Sequence, residues 1–344
     1  MEKFTPQTLK KYLEEKVLPK LGLYDSVGII EEASGGLSSA VFRVQLNNDF
    51  FFVKQILEGM TSGLGELPDD LKILFSDNRQ KYEEKAIKIF NNVVGKNIAP
   101  NIVYFEPNDK ILILSDVAGT SGKLFENVFE NSVNEIITDK LAKISADLTN
   151  KTYEKYPYLR SSELDKEIRK VKLKYIYGDV FSNLKSTSKE LEQRINKFIS
   201  FSVNHAKVVC HGDYHPKNII LRTNNEIGLI DFEEAIVHDP VWDISALLAH
   251  YLLRALNYPN DKEKYKNLSL LLIEKFFDYI KIPEKIDDLK FRINNYTAGW
   301  MMLRVDGITK AKWITDENIK NEIRNTAKRF IVENLSINEL IESL

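Results

Sequence analysis

The stretch His211-Gly212-Asp213-Tyr214-His215-Pro216-Lys217-Asn218 is followed, eighteen residues after Asp213, by Asp231-Phe232-Glu233. An aspartate with an asparagine five positions on, then an apolar hairpin, then a second aspartate supplies two things. One is a carboxylate able to take a proton from a hydroxyl, and the other is a pair of oxygen ligands for a hard cation. The runs at 208–210, 218–221 and 227–230 read as short strands, the last two joined by Arg222-Thr223-Asn224-Asn225-Glu226. A single Asp or Asn in a turn is most often a backbone cap, so the composite spacing carries the chemistry, not any one residue.

Asp with Asn at +5 is the spacing of a kinase catalytic loop, so Asp213, Asn218 and Asp231 are the candidates for a carboxylate near an acceptor hydroxyl and two oxygen ligands for Mg²⁺. Phosphoryl transfer from ATP makes further demands upstream. A lysine on the third strand must hold the α/β-phosphates, and Lys54, ending the run Phe50-Phe51-Phe52-Val53, meets that requirement. A helix carboxylate must orient it, for which Glu83 is the choice and Glu84 the neighbour it could be confused with. Between the first two strands, Ser34-Gly35-Gly36-Leu37-Ser38-Ser39 would let the backbone at Gly35, Gly36 and Ser38 approach phosphates. Alone that signal is weak, because glycine pairs commonly just make hairpin turns.

Thr5-Pro6 gives an N-cap with proline at the first helical position, and Leu9, Tyr12, Leu13 and Val17 recur at helical spacing. Strands follow at 27–32, 40–46 and 50–57, a helix at 78–94, and two more strands at 101–105 and 110–115. The expected fold class is therefore α+β, with a five-stranded antiparallel sheet plus one helix over 1–116 and a mainly helical domain over 117–344. No Pro/Gly/Ser linker separates them, so the boundary near 116–122 is expected to be tight.

With 48 Lys+Arg against 50 Asp+Glu among 344 residues, the net charge of −2 gives no basic field for nucleic acid. Charges run throughout MEKFTPQTLKKYLEEKVL where a signal peptide needs an apolar core, and Cys210 is the single cysteine, so a cytoplasmic location is expected. The apolar segment 244–256 is too short for a bilayer and reads as a buried helix, with no membrane partner expected. Nothing in the sequence addresses oligomeric state.

HGDYHPKN at 211–218, LIDFEEAIVHDPVWDIS at 229–245 and VKQ at 53–55 together resemble the aminoglycoside phosphotransferase, choline kinase and methylthioribose kinase superfamily, over roughly residues 25–260. The resemblance implies a bilobal protein-kinase-like fold with ATP in the cleft. It also implies that His211 stiffens the catalytic loop, that Asp243 ties the following helix to that loop, and that the main chain of 112–118, including Ser115 and Val117, reads the adenine edge. One departure from protein kinases matters. Asp231-Phe232-Glu233 stands in place of Asp-Phe-Gly, and Asp239-Pro240 follows within nine residues, leaving no room for a peptide platform. Glu233 could join the metal shell or be solvated, and His215 could position Asp213 or simply brace the loop.

Two rival readings stay open. A metal-dependent hydrolase could gather His211, Asp213, His215, His238 and Asp239, but it leaves Lys54, Asn218 and Asp231 without jobs. A catalytically silent nucleotide-binding module is the other, although none of Lys54, Asp213, Asn218 or Asp231 is missing. The expected acceptor is a small hydroxylated metabolite, a pentose or methylthioribose-like sugar, with aminoglycosides and choline as the alternatives. Arg304 and Asp306, in an otherwise apolar helix, are candidate acceptor contacts, with an internal salt bridge as the plainer reading.

Overall fold

The computed structural model describes residues 2–23, 27–33, 39–57, 73, 79–119, 121–185, 188–333 and 335–344, apart from the side chains of 179, 183 and 185. Gly35, Gly36 and Ser38 therefore lie outside the described residues. The chain forms two compact units, one of 1–123 with 220–233, the other of 124–219 with 234–344. The hairpin segment thus belongs with the first unit, where the sequence boundary at 116/117 is a single cut.

In the first unit, α1 (Pro6–Tyr12) starts as the sequence indicates. The Thr5 hydroxyl accepts from the Thr8 N–H while the Thr8 hydroxyl accepts from the Thr5 N–H, closing a capping box ahead of Pro6. Strands β1 (Val27–Ala33), β2 (Ser39–Leu46), β3 (Asp49–Ile56), β4 (Ile102–Glu106) and β5 (Ile111–Ser115) form an antiparallel sheet of order β1-β2-β3-β5-β4. The five strands expected from alternation are all present. One sheet face buries Phe42, Val44, Val53, Ile111 and Ile113 against Leu9, Leu13 and Val17 of the N-terminal helical segment. Each such side chain contributes roughly 1.5–3 kcal/mol of transfer free energy.

The pleat then settles where Lys54 goes. Val53 points into this core, so Lys54, one residue on, must project from the opposite face, toward α2 (Arg79–Val93). On α2, Glu83, Ala86, Ile87 and Phe90 are buried while Lys81, Lys85 and Lys88 are exposed. The hairpin of Ile219–Leu221 and Ile227–Leu229 is anchored to the first unit by the Leu229 N–H, which donates to the Ile98 carbonyl at 2.6 Å.

The second unit is mainly helical. In helix Trp242–Asn257 every residue from Trp242 to Leu256 is buried, so it is apolar all round because protein surrounds it. Among the described residues no helix is long and apolar enough to cross a membrane. Strand Val208–Cys210, which leads into the 211–218 loop, pairs antiparallel with Ile236–His238, Val209 opposite Val237. That second strand escaped the sequence reading because three residues carry too little alternation to register.

Gly212 is required at the turn out of Val208–Cys210. Its φ is +86°, and a Cβ there would lie 2.0 Å from the Glu234 carbonyl oxygen, a backbone atom that cannot step aside. Gly212→Ala is expected to lower stability by more than about 3 kcal/mol, combining the left-handed penalty with the clash. Urea denaturation checks it, and an unchanged midpoint would contradict this account of the turn.

Candidate active site

The first unit holds a cluster around Lys54, which is central in the sheet, opposite Val41 on β2 and Leu112 on β5. Its Nζ lies 2.7 Å from Glu83 Oε1, 3.0 Å from Asp231 Oδ1 and 3.8 Å from Glu233 Oε2. Glu83 is thus the helix carboxylate brought to Lys54, whereas Glu84 pairs with Lys88 along the outside of α2. Burial alone would lower the Lys54 pKa, but the carboxylates of Asp231, Glu83 and Glu233 overcome it and hold the ammonium charged, well above its ordinary value.

Asp231-Phe232-Glu233 is placed by packing and by an unusual backbone. Phe232 is buried edge-on against Phe90 of α2, ring centroids 4.8 Å apart, which fixes its two acidic neighbours beside the helix that carries Glu83. Asp231 has φ +64°, a left-handed conformation that Asp tolerates better than most side chains but that still stores strain. Glu233 Oε2 lies 3.6 Å from Arg79 Nε, and the Arg79 Nη2 donates to the Ser39 hydroxyl at 3.1 Å.

Three carboxylates therefore face two cations, Lys54 and Arg79. The surplus negative charge has a measurable consequence, since burial first and Asp231 second push Glu233 up to about 7 against the pull of Lys54 and Arg79. With Glu83 spent on Lys54, Asp231 and Glu233 offer hard oxygens of the kind Mg²⁺ takes when phosphate and water complete its shell.

The second unit holds the loop. Asp243, at the start of helix Trp242–Asn257, accepts from the His211 N–H at 2.7 Å and the Gly212 N–H at 3.1 Å, and the Trp242 indole donates to the Gly212 carbonyl. This is the tie between helix and loop that the resemblance implies for Asp243. The Asp213 carboxylate is then held on both oxygens. Oδ1 accepts from His215 Nε2 at 2.9 Å and Oδ2 from Asn218 Nδ2 at 2.9 Å, with Arg304 Nη2 at 3.8 Å from Oδ1.

The His215 Nδ1 accepts from the Lys217 N–H, which leaves the proton on Nε2, the atom facing Asp213. Because the Asn218 carboxamide nitrogen is spent on Asp213, its oxygen is the atom left to meet a cation. Burial works to raise the Asp213 pKa, but His215, Arg304 and Lys172 outweigh it and hold the carboxyl well below the usual carboxylate range.

Other expected residues fall less centrally. The Ser115 N–H donates to the Asn101 carbonyl and its hydroxyl accepts from the Asn101 N–H, while Val117 is buried close to Gly228. Asp306 makes a two-pronged pair with Arg324 at 2.7 and 2.9 Å, the plainer reading of that residue. Among the described residues no group of three or more His, Cys, Asp and Glu is arranged to hold a metal ion, so the hydrolase cluster does not assemble.

Two contacts of the candidate site were not read from the sequence. Lys172, a buried lysine in helix Ser162–Tyr177 that pairs with Glu234, is one cation among many in its segment. Arg79 could have been found only by its place one turn before Glu83.

Residues 111–258 match the sequence model of the phosphotransferase enzyme family. An N-acetylmuramate/N-acetylglucosamine kinase of Caulobacter vibrioides is 40% identical over 47 residues, which is 12% of this chain and only 13% of the length of that relative. Among solved structures, choline kinase from Streptococcus pneumoniae shares the fold at 17% identity and a TM-score of 0.52, covering 94% of this chain and 99% of that one. An amicoumacin kinase in complex with AMP-PNP and Ca²⁺ is similar at 13% identity and a TM-score of 0.54, over 96% of this chain and 97% of that one. The kinase-like fold read from the motifs is borne out by the structural matches, and the family model spans the segment that holds the 211–218 loop and Asp231-Phe232-Glu233.

Proposed function

We propose that this chain, a small-molecule kinase of the aminoglycoside phosphotransferase and choline kinase superfamily, moves the γ-phosphoryl group of ATP to a hydroxyl of a small sugar-like metabolite. The observation that carries the reading is Asp213. It lies in a loop within the family match, and His215 and Asn218 fix both of its oxygens. The acceptor oxygen bonds to the γ-phosphorus as the bond from that phosphorus to the β-bridging oxygen breaks, ADP leaves, and the hydroxyl proton passes to an Asp213 oxygen.

A carboxylate held so far below its ordinary pKa is a weak base. That suits phosphoryl transfer, whose loose transition state makes little demand on the nucleophile until late, so Asp213 chiefly orients the hydroxyl and takes its proton last. Lys54, kept charged and aimed by Glu83, serves the nucleotide phosphates. Asn218 and Asp231 are the proposed Mg²⁺ ligands, and the cation supplies charge neutralisation on the phosphates. A nucleotide analogue bound to a protein of the same fold supports ATP as the donor.

The sugar reading rests on the short segment shared with an N-acetylmuramate/N-acetylglucosamine kinase. Steady-state kinetics on pentoses, methylthioribose, N-acetylated amino sugars, choline and kanamycin test it. The highest kcat/KM is expected for a sugar, and a cationic acceptor ranking first would overturn the sugar assignment while leaving the transfer chemistry in place.

A further inference from the structure

Arg304 sits in the last turn of helix Ile286–Val305 and is only 7% exposed. Its guanidinium is unevenly used. Nη1 donates to the Thr309 carbonyl at 3.1 Å and to the Thr309 hydroxyl at 2.9 Å, which pins one side of the plane. The opposite edge, Nε with Nη2, makes no hydrogen bond within the second unit. Nη2 is 3.8 Å from Asp213 Oδ1, too far for one, and Nε is buried with no partner among the described residues. That Nε–Nη2 edge is the fork that fits the two oxygens of an oxyanion.

Other buried polar atoms of this unit also lack partners among the described residues. His250, next to His215 with ring centroids 5.3 Å apart, has both nitrogens buried and unpartnered, and so does the indole nitrogen of Trp300, one turn before Arg304 on the same helix face. Unpaired buried polar atoms are rare in folded proteins, so the Arg304 edge, with Nη2 3.8 Å from the proton-accepting carboxylate, calls for a ligand that brings oxygen. The nearby Arg254 and Lys172 are already matched, to Glu126 and Glu130 and to Glu234 respectively.

We propose that the free edge of Arg304 binds an oxyanion in the acceptor site, and that this oxyanion is a carboxylate carried by the acceptor. The substrate class is then a hydroxylated acid, a sugar bearing an acidic substituent, and Arg304 is its specificity determinant. This rests on the sugar-kinase reading above and narrows it. The other possible source of an oxyanion is the phosphoryl group in transfer, and the two sources separate in their response to a matched pair of acceptors.

The experiment measures kcat/KM and calorimetric binding for N-acetylmuramate against N-acetylglucosamine, and for gluconate against glucose, in wild type, Arg304→Gln and Arg304→Lys. Expected is a wild-type preference for the acid of about 20- to 100-fold, the size of one charge-assisted hydrogen-bonded pair. Arg304→Gln abolishes that preference and Arg304→Lys restores it in part, the acid acceptor losing at least about 20-fold more than its neutral partner in the Gln variant. An equal fall for acid and neutral acceptors assigns the edge to the transferring phosphoryl and overturns the proposal. So does wild-type preference for the neutral partner, which would leave the sugar-kinase reading standing. Turnover of choline or kanamycin alone, with no binding of either sugar or acid, sinks that reading and this inference together. Acid preference unaltered by Arg304→Gln sinks the inference alone.

Discussion

Asp213→Asn is expected to abolish phosphoryl transfer while leaving ATP affinity within about threefold of wild type. The loss should fall on kcat, because the asparagine keeps the shape and the contact with Asn218 or His215 but can no longer take the hydroxyl proton. General-base contributions run to about 10²–10⁴-fold, and the weak basicity of this carboxylate argues for the lower half of that range from proton transfer, with lost orientation of the hydroxyl adding to it. Steady-state turnover alongside nucleotide titration checks the split. A variant retaining more than about a tenth of wild-type kcat would remove Asp213 from the reacting centre.

Replacing Asp231 should be nearly as costly, by a different route. Asp231→Asn and Asn218→Ala are expected to weaken Mg²⁺·ATP far more than metal-free nucleotide, and to lower kcat/KM by about 10²–10³-fold, the scale of losing one preorganised electrostatic group. Asparagine is the informative substitution at 231, since it tolerates the left-handed backbone that alanine would strain. Lys54→Ala should instead weaken nucleotide with and without metal, and it also leaves Glu83 buried without its ammonium partner, so a fall in stability accompanies it. Titration calorimetry with and without Mg²⁺ discriminates. Equal losses under both conditions for the Asp231 and Asn218 variants would take those residues out of the metal shell.

The sequence exposes the parts of this protein whose chemistry is local. Thr5-Pro6 announces its helix because capping depends on a few adjacent residues, and the five strands of the first unit announce themselves by alternation against a one-sided core. Asp213, Asn218 and Asp231 stood out because the roles proposed for them demand a fixed order along one loop and hairpin. Glu83 was chosen over Glu84 from helical phase alone, and the 2.7 Å contact with Lys54 agrees with that choice.

What stayed hidden depends on distant parts of the chain. Lys172 acts on Asp213 only through tertiary packing, 41 positions earlier in the sequence, and nothing in its surroundings sets it apart from neighbouring lysines. The three-residue strand Ile236–His238 is defined by its partner Val208–Cys210, not by its own pattern. Arg304 was singled out for being a charge in an apolar helix, but the unevenness of its hydrogen bonding, which gives it a role, is a property of geometry.

Phosphorus-31 NMR of the protein with ATP, Mg²⁺ and a panel of neutral and acidic sugars puts the central claim to its most direct test. Wild type should convert ATP to ADP with a new phosphomonoester resonance that depends on the acceptor, and Asp213→Asn under the same conditions should give neither. Release of orthophosphate with no phosphoester for any acceptor, or a phosphoester formed at an undiminished rate by Asp213→Asn, would contradict the account.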